Sequence, residues 1–531
     1  MTAKRLLGQP RGEPPPSVRN RAQSESGSTV GAINSTLFVE ILDSPGVQQS
    51  ILSTDASPTV AVIGGGFSGS VFALKFSGAQ PGARVVVVER NRRVGRGLAY
   101  GACAPDHLLN VPVSRMELGL KPGFGEWLQG HRDILGDALR ESDGDLASAF
   151  VPREMFGAYL QERIQDAVSS DHRCGLNVVR GEAVKLLDFP ARGVLLSDGR
   201  EIAADIVILA TGNLPPRPPP SRDGWLYDTA LFVPDPWASD AFDGLAKDEP
   251  VVLLGTGLTM VDVALKLAAA GHTGSMQAIS RRGYLPLAHR AGGSWPAFHD
   301  PKMPGSPRML MRLLRREAKK AEAEGVPWQR VMDAMRPAVA RVWAGWSAAE
   351  RAQFLRHLRP RWDVHRHRMA PRIAERLEAL MRSGQLGVRG GRVKAYRRRE
   401  GLVEVVLHER GTGAEHVLPA ARVINCTGPR SDMDRLAFPM LADLRRRGLI
   451  APDELGLGIE TDDCAALGSA GHVSPWLYAL GPLTRPTWWE VVAVPEINAQ
   501  IDRLVGLLSK GPRTAVAPSL ADAFADLGAG I

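Results

Sequence analysis

The apolar positions of this 531-residue chain fall into two textures. From Thr59 the run TVAVIG is continuous and β-branched, breaks into glycines, and passes into SVFALKF with helical spacing. Arg84–Glu89 (RVVVVE) follows with no alternation between polar and apolar, the pattern of a strand buried on both faces in a parallel sheet. Strand, turn, helix and strand within some thirty residues predict a βαβ unit. The same order returns at Val251–Gly255 (VVLLG), a helix through TGLTMVDVALKLAAAG with Gly271 as its C-terminal cap, and the strand SMQAIS. Two further apolar strands end alike, DIVILATG (205–212) and RVINCTG (422–428), and WLYALG (476–481) leads into a long helix expected over 488–508. Residues 306–383 differ: Arg, Ala, Leu and Met recur at helical spacing, punctuated by Pro337, Pro360 and Pro371, which predicts several inserted helices. Antiparallel strands turning at Glu400-Gly401 and at Gly411–Gly413 should follow.

The glycine turns carry the first chemistry. Gly64-Gly65-Gly66-Phe67-Ser68-Gly69 is G-x-G-x-x-G placed between strand and helix. Gly64 permits the tight turn, Gly66 lets backbone N–H groups approach a pyrophosphate, and Gly69 lets the helix pack closely on the strand. The helix N-terminus then faces the phosphates with its positive end. Glu89, at the end of the second strand, suits both hydroxyls of an unphosphorylated ribose, as in the adenosine of FAD or NAD. In the second unit Gly255 and Gly257 keep the pattern, but Met260 replaces the third glycine. Asp262 should fall in the first turn of that helix, able to cap it or meet a ligand. The second strand ends in Ser280-Arg281-Arg282, and guanidinium forks suit a 2′-phosphate, so NADPH is expected over NADH, with NADH possible.

Two such units with Thr-Gly crossover strands (Thr211-Gly212 and Thr427-Gly428) predict an α/β two-dinucleotide-binding-domain flavoprotein. It would have a Rossmann-like FAD domain with an inserted NAD(P)H-binding domain, plus a helical insertion. The first unit is assigned to FAD, because the strand ending at Gly481 and its helix must return beside it to cover the flavin. The expected boundaries are a disordered leader over 1–57, the first part of the FAD domain over 58–248, and the NAD(P)H unit over 249–301. The helical insertion then spans 302–383, the remaining strands and the return to the FAD domain with its C-terminal helix 384–510, and a flexible tail 511–531. The leader's run Thr36–Leu42 could form a strand, with no partner in view.

Composition narrows the function classes. Hydrophobic residues make up 44% and charged residues 23%, ordinary for a globular chain, and no uncharged apolar run is long enough for a membrane span. The N-terminus lacks the apolar stretch of a signal peptide, so a cytoplasmic location is expected. Cys103, Cys174, Cys426 and Cys464 lie far apart with no C-x-x-C pair, which removes zinc ribbons and dithiol reductases. The histidines form no metal motif, and no metal is expected. Residues 302–399 hold 25 Lys and Arg against 8 Asp and Glu, in a chain whose net charge is only +8. A solvated arginine-rich helical surface accounts for most of them, and no nucleic-acid partner is expected. Within this stretch Trp362 to Arg368 packs an indole, two imidazoles and two guanidinium groups into seven residues. Arg366 or Arg368 is expected to point inward and hold an anionic substrate.

The blocks GGGFSG, GRGLAYG, HLLNVPVSRM, FVPREMFGAYL, GTGLTMVD with SRRGYLP, WDVHRHRMAP and GPLTRPTWWEVVAVPEINAQ resemble one family in the same order across residues 58–510. That family is the bacterial FAD/NAD(P)-binding proteins similar to flavin-dependent urate hydroxylase and to the nitrosuccinate-forming aspartate N-oxygenase. The resemblance implies an FAD monooxygenase using NAD(P)H and dioxygen on a small purine- or amine-type substrate. The alternative is an NAD(P)H-dependent flavin reductase, or an electron-transfer or sensing flavoprotein. Asn110 and Arg153 are expected to sit where the chain wraps the flavin, with Asn110 a candidate catalytic residue beside Arg366 and Arg368. Trp488-Trp489-Glu490 is expected to open the last helix, its positive end toward the pyrimidine side of the ring.

Overall fold

A computed structural model describes residues 58–510 apart from 105, 170–174, 189–190, 222–223, 301–304, 430–432 and 434–437. The leader, its run Thr36–Leu42, Cys174 and the 511–531 tail lie outside the described residues.

The first unit folds as its pattern predicts: β1 (Thr59–Ile63), α1 (Phe67–Ala79) and β2 (Arg84–Glu89). Short helices α2 (Gly97–Gly101), α3 (Phe124–Gln129) and α4 (Gly136–Glu141) precede the longer α5 (Arg153–Ser169) and β3 (Gly175–Arg180). A separate antiparallel sheet, β4 (Ala183–Leu187), β5 (Gly193–Leu196) and β6 (Glu201–Ala203), leads to β7 (Ile206–Leu209). The second unit holds β8 (Phe232–Val233), β9 (Val251–Leu254), α6 (Leu258–Ala269) and β10 (Met276–Ser280). The inserted helices are α7 (Pro307–Ala323), α8 (Trp328–Ala344), α9 (Ala348–Gln353), α10 (Arg359–Arg366) and α11 (Pro371–Arg382), with a π turn over Phe354–Leu358. Then come β11 (Leu386–Arg399), β12 (Leu402–Glu409), β13 (Glu415–Ala420), β14 (Arg422–Asn425), α12 (Pro439–Arg446), β15 (Thr461–Asp462), β16 (Ala465–Leu467), β17 (Val473–Ala479) and α13 (Val494–Ser509).

Two seven-stranded sheets organise these elements, in the orders β15-β16-β17-β7-β1-β2-β3 and β13-β12-β11-β10-β9-β14-β8. In the first, β17, β7, β1, β2 and β3 run parallel, so the last strand returns beside the first unit as expected. In the second, β11, β10, β9, β14 and β8 run parallel, while β12 and β13 extend β11 as antiparallel strands. The turn glycines Gly401, Gly411 and Gly413 all take positive φ, as the hairpins require.

The strands expected after the insertion, within residues 386–425, complete the second sheet, because β10 and β9 each offer an open parallel edge that β11 and β14 fill. One expectation is corrected. The last helix begins at Val494, not Trp488. Pro495 lacks a backbone N–H and is tolerated only in the first turn of a helix, so a helix running on from Trp488 would carry it in its interior and the helix starts just before it instead. Trp488–Glu490 precede it in a turn where Glu490 takes φ +70°. Of the insertion's prolines, Pro360 and Pro371 stand in the first turns of α10 and α11, while Pro337 lies inside α8 without ending it.

The inserted helices bury an aromatic cluster of their own, including Trp343, Trp346, Phe354 and Trp362, and close it against Trp489 from the FAD side of the chain. Trp343 and Trp489 stack with ring centroids 4.4 Å apart.

Candidate cofactor and substrate sites

Both glycine loops are shaped by close backbone approach. Gly64 has φ +105°, and a Cβ there would lie 2.4 Å from the carbonyl oxygen of Ala210 at the end of β7. A Cβ at Gly69 would meet the carbonyl oxygen of Gly64 at 1.9 Å, so only glycine lets α1 approach β1 this closely. Gly66 is different: a Cβ there would meet only Gly97, at 3.4 Å, and would project into the cradle above the helix N-terminus. The second loop repeats the arrangement. Gly255 has φ +120°, with a Cβ 2.3 Å from the carbonyl oxygen of Cys426 at the end of β14, and around Gly257 a Cβ would meet nothing within 4 Å. Met260, at the third-glycine position, is fully buried between helix and sheet.

The first cradle fits the FAD expected there. Glu89 is buried, and one carboxylate oxygen accepts from the Gly65 N–H at 2.7 Å while the other accepts from the Asn91 backbone and side-chain nitrogens at 2.7 and 2.8 Å. A carboxylate has about four lone-pair sites, so capacity for ribose hydroxyls remains. The Thr211 hydroxyl is buried without a partner beside the loop, and Gly212 takes φ +68°. Gly481, with φ +75°, comes so close to α1 that a Cβ would lie 2.9 Å from the Ser68 hydroxyl. The Gly481 N–H donates to Gln500 of α13, which fixes this strand end.

In the second unit the Thr256 hydroxyl donates to the Tyr284 carbonyl at 2.6 Å and lies 2.9 Å from the Ser280 hydroxyl, which accepts from the Gly283 N–H. That turn presents Arg281 at the surface and Arg282 half-buried, with the Arg282 guanidinium 6.0 Å from the Tyr284 ring centroid. Among the described residues neither arginine has a carboxylate within ion-pair distance, and the residues fit a 2′-phosphate.

Other expected site residues are committed elsewhere. Arg153 does not offer its fork to a flavin: its two terminal nitrogens donate to Asp262 at 2.7 and 3.2 Å and its Nε to the Leu108 carbonyl at 2.8 Å. Asp262 lies beyond the first turn of α6 and joins the second unit to the first through this pair. The buried His107 adds a bond from its Nε2 to the Asp262 carbonyl, 3.1 Å away. Arg366 and Arg368 point inward as expected, but both guanidinium groups are matched by this chain's own acids. Arg366 bonds Glu496 at 2.6 Å and faces Glu490 at 3.3 Å, Arg336 shares Glu496 at 2.8 Å, and Arg368 pairs with Asp333. Leaving those charges unmatched in a buried setting would cost several kcal/mol, roughly, so the fold pairs them. Asn110 lies at the junction of the same region, its carbonyl 2.9 Å from the His289 Nε2. Burial and the nearby Arg368 push the His289 imidazolium down to about 4.

Sequence reading missed Asp333, Glu496 and Arg485, and it took Glu490 as the start of the last helix instead of as an acid of this junction. The Arg485 guanidinium lies 4.6 Å from the centroid of the Trp489 ring, and its Nε is buried without a hydrogen-bond partner. Burial and the neighbouring Arg359 lower it to about 10. The signal was present in the block TRPTWWE, but no spacing rule links it to helix α10. Among the described residues no group of three His, Cys, Asp or Glu side chains is placed to hold a metal ion, and no helix is long and apolar enough to cross a membrane.

The two sheets, each with a glycine loop at the carboxyl end of a parallel strand, define the two-dinucleotide-binding fold, with a helical insertion. Residues 61–214 match the family model described as FAD-NAD(P)-binding, in line with the sequence resemblance. No curated protein matches the chain. Among solved structures it is similar to ornithine hydroxylase from Pseudomonas aeruginosa, at 14% identity over 86% of this chain and 99% of that one, with a TM-score of 0.59. It is also similar to the FAD-bound cadaverine monooxygenase of the desferrioxamine pathway from Erwinia amylovora, at 14% identity over 87% and 98%, with a TM-score of 0.56. L-lysine 6-monooxygenase from Pseudomonas syringae gives 15% identity over 85% and 99%, with a TM-score of 0.56. The chain therefore has the fold of flavin-dependent monooxygenases.

Proposed function

We propose that this protein is an FAD-dependent monooxygenase that uses NADPH and dioxygen to hydroxylate a small amine. The observation that carries the reading is the pair of glycine loops, each pressed against a Thr-Gly strand end, with a carboxylate after the first and, after the second, two arginines that have no carboxylate partner among the described residues. Similarity to hydroxylases of ornithine, cadaverine and lysine supports an amine over a purine such as urate.

When bound, FAD would accept hydride from NADPH and pass electrons to dioxygen, the difficult chemistry that side chains lack. The chain supplies position and dryness. Gly64–Gly69 and the N-terminus of α1 hold a pyrophosphate, and Glu89, oriented by Gly65 and Asn91, receives the ribose. Arg281 and Arg282 read the 2′-phosphate of the second nucleotide. The Arg153–Asp262 pair ties the nucleotide units together, and the aromatic insertion closed by Trp489 excludes water from the junction.

The test is to purify the protein with FAD, supply NADPH under air, and measure hydroxylamine formation with ornithine, lysine, cadaverine and aspartate, and with urate in parallel. Amine-dependent product supports the reading. NADPH-driven reduction of a carrier protein with no oxygenated product would replace it with the electron-transfer alternative.

A further inference from the structure

The chain that leaves β10 at the arginine turn does not wander off into solvent. It runs through Tyr284 and docks along α10 of the helical insertion. The Leu287 N–H donates to the Val364 carbonyl at 3.1 Å, the Met369 N–H to the Leu287 carbonyl at 2.8 Å, and the His289 N–H to the Met369 carbonyl at 2.9 Å. Tyr284 stands where this segment meets the second glycine loop, its carbonyl accepting the Thr256 hydroxyl at 2.6 Å. Its side chain is open to solvent, 36% exposed. Two guanidinium groups reach its hydroxyl. Hydrogen bonding from Arg282, and then from Arg361 of α10, holds the phenol below the usual tyrosine range. Arg361 is exposed and stands three residues before Val364, just as Tyr284 stands three before Leu287, so the docking of the two segments brings them together. Among the described residues, Arg281, Arg282 and Arg361 have no carboxylate within ion-pair distance. The neighbours of Arg361 on α10 do: Arg359 pairs with Asp363 at 3.3 Å and Arg366 with Glu496 at 2.6 Å. Two like charges gathered on one neutral hydroxyl repel each other, and an anion seated between them relieves that repulsion.

We propose that Arg361 of the helical insertion completes the 2′-phosphate site of the second nucleotide, holding the phosphate against Arg282 with the Tyr284 hydroxyl between them. The inference rests on the NADPH part of the reading above and adds a residue from outside the βαβ unit. The fold locates the site: the residue ending the second strand of such a unit meets the adenosine ribose, and here that strand ends at Ser280, directly before Arg281 and Arg282. A phosphate offers several acceptor oxygens, so forks donating from two sides are both used. The Tyr284 hydroxyl accepts from the two forks and keeps its own proton to donate to the phosphate. An unphosphorylated ribose gives neither guanidinium a charge to bind. Discrimination between NADPH and NADH is then shared by the turn after β10 and by α10, which lie some eighty residues apart in the chain. The other face of α10 carries Trp362 and Arg366 against Glu490, so one helix serves both the nucleotide site and the buried junction.

The experiment measures dissociation constants for 2′,5′-ADP and for 5′-ADP by titration calorimetry on the FAD-loaded, full-length protein, and it needs neither turnover nor a known amine. The native protein should bind 2′,5′-ADP at least about tenfold more tightly than 5′-ADP. Arg361→Met should weaken 2′,5′-ADP by about tenfold or more and leave 5′-ADP nearly unchanged. Arg361→Lys, which keeps the charge and loses the fork, should fall between the two. Tyr284→Phe should weaken 2′,5′-ADP several-fold with the same indifference to 5′-ADP. FAD absorbance and thermal melting establish that each variant is folded. A folded Arg361→Met with native affinity for 2′,5′-ADP, or with equal losses for both ligands, overturns the assignment. If Arg282→Met still erases the preference for 2′,5′-ADP in that case, the NADPH reading stands and this inference alone has failed. A native protein that binds the two ligands equally overturns both.

Discussion

The two nucleotide units are near copies in backbone and differ in how they end. Each presses its first glycine onto the carbonyl at the end of a neighbouring strand, Ala210 for Gly64 and Cys426 for Gly255, at 2.4 and 2.3 Å from a hypothetical Cβ. The first unit keeps its third glycine, at a contact of 1.9 Å that no side chain survives, whereas the second buries Met260 there. The first ends in an acid held by its own glycine loop, and the second in Ser280, held by Thr256, before two arginines. The comparison teaches that the turn geometry is generic while the residue at the end of the second strand decides the ligand: a carboxylate accepts ribose hydroxyls, and a guanidinium binds phosphate.

The largest effect should come from breaking one loop and sparing the other. Gly66→Val fills the first cradle and should abolish FAD retention, read as loss of flavin absorbance in purified protein. Gly257→Val, where a Cβ meets no protein atom, should keep FAD and weaken only the second nucleotide. Full FAD occupancy in Gly66→Val would move the flavin to another unit. Next, Arg153→Met removes the partner of the nearly buried Asp262 and should lower unfolding stability by about 3 kcal/mol in chemical denaturation. A change under about 1 kcal/mol would show that the two units are joined by other contacts. Arg281→Met or Arg282→Met should each weaken NADPH binding roughly tenfold to a hundredfold, for about 1.5–3 kcal/mol per charge-assisted contact, with NADH affected little. Equal losses with both nucleotides would refute the phosphate assignment. The smallest effect is on pH. His289 is held neutral with its imidazolium pushed down to about 4 from an ordinary value near 6.5, so the folded state binds fewer protons than the unfolded one. Its contribution is present above pH 6.5 and declines as the pH falls toward 4. His289→Gln should flatten the stability profile across that window, and an unchanged slope would assign it to other groups.

Sequence alone determined both βαβ units, their glycine loops, the hairpins at Gly401 and Gly411–Gly413, and the helical character of 306–383. These follow from short-range rules: periodicity, positive φ at glycine, and the residue type at a strand end. Tertiary structure decided which sheet each later strand joined. Residues 386–425 read as strands in either case, but only the free edges of β9 and β10 placed β11 and β14 in the second sheet. It also decided the fate of charges. Arg153, Arg366 and Arg368 looked like ligand-binding groups because a sequence shows a guanidinium without its partner, and their partners Asp262, Glu490, Glu496 and Asp333 lie between 35 and 130 positions away. Ion pairs between distant elements leave no period in the chain. A buried charge must be compensated, and only the folded packing reveals which acid compensates it.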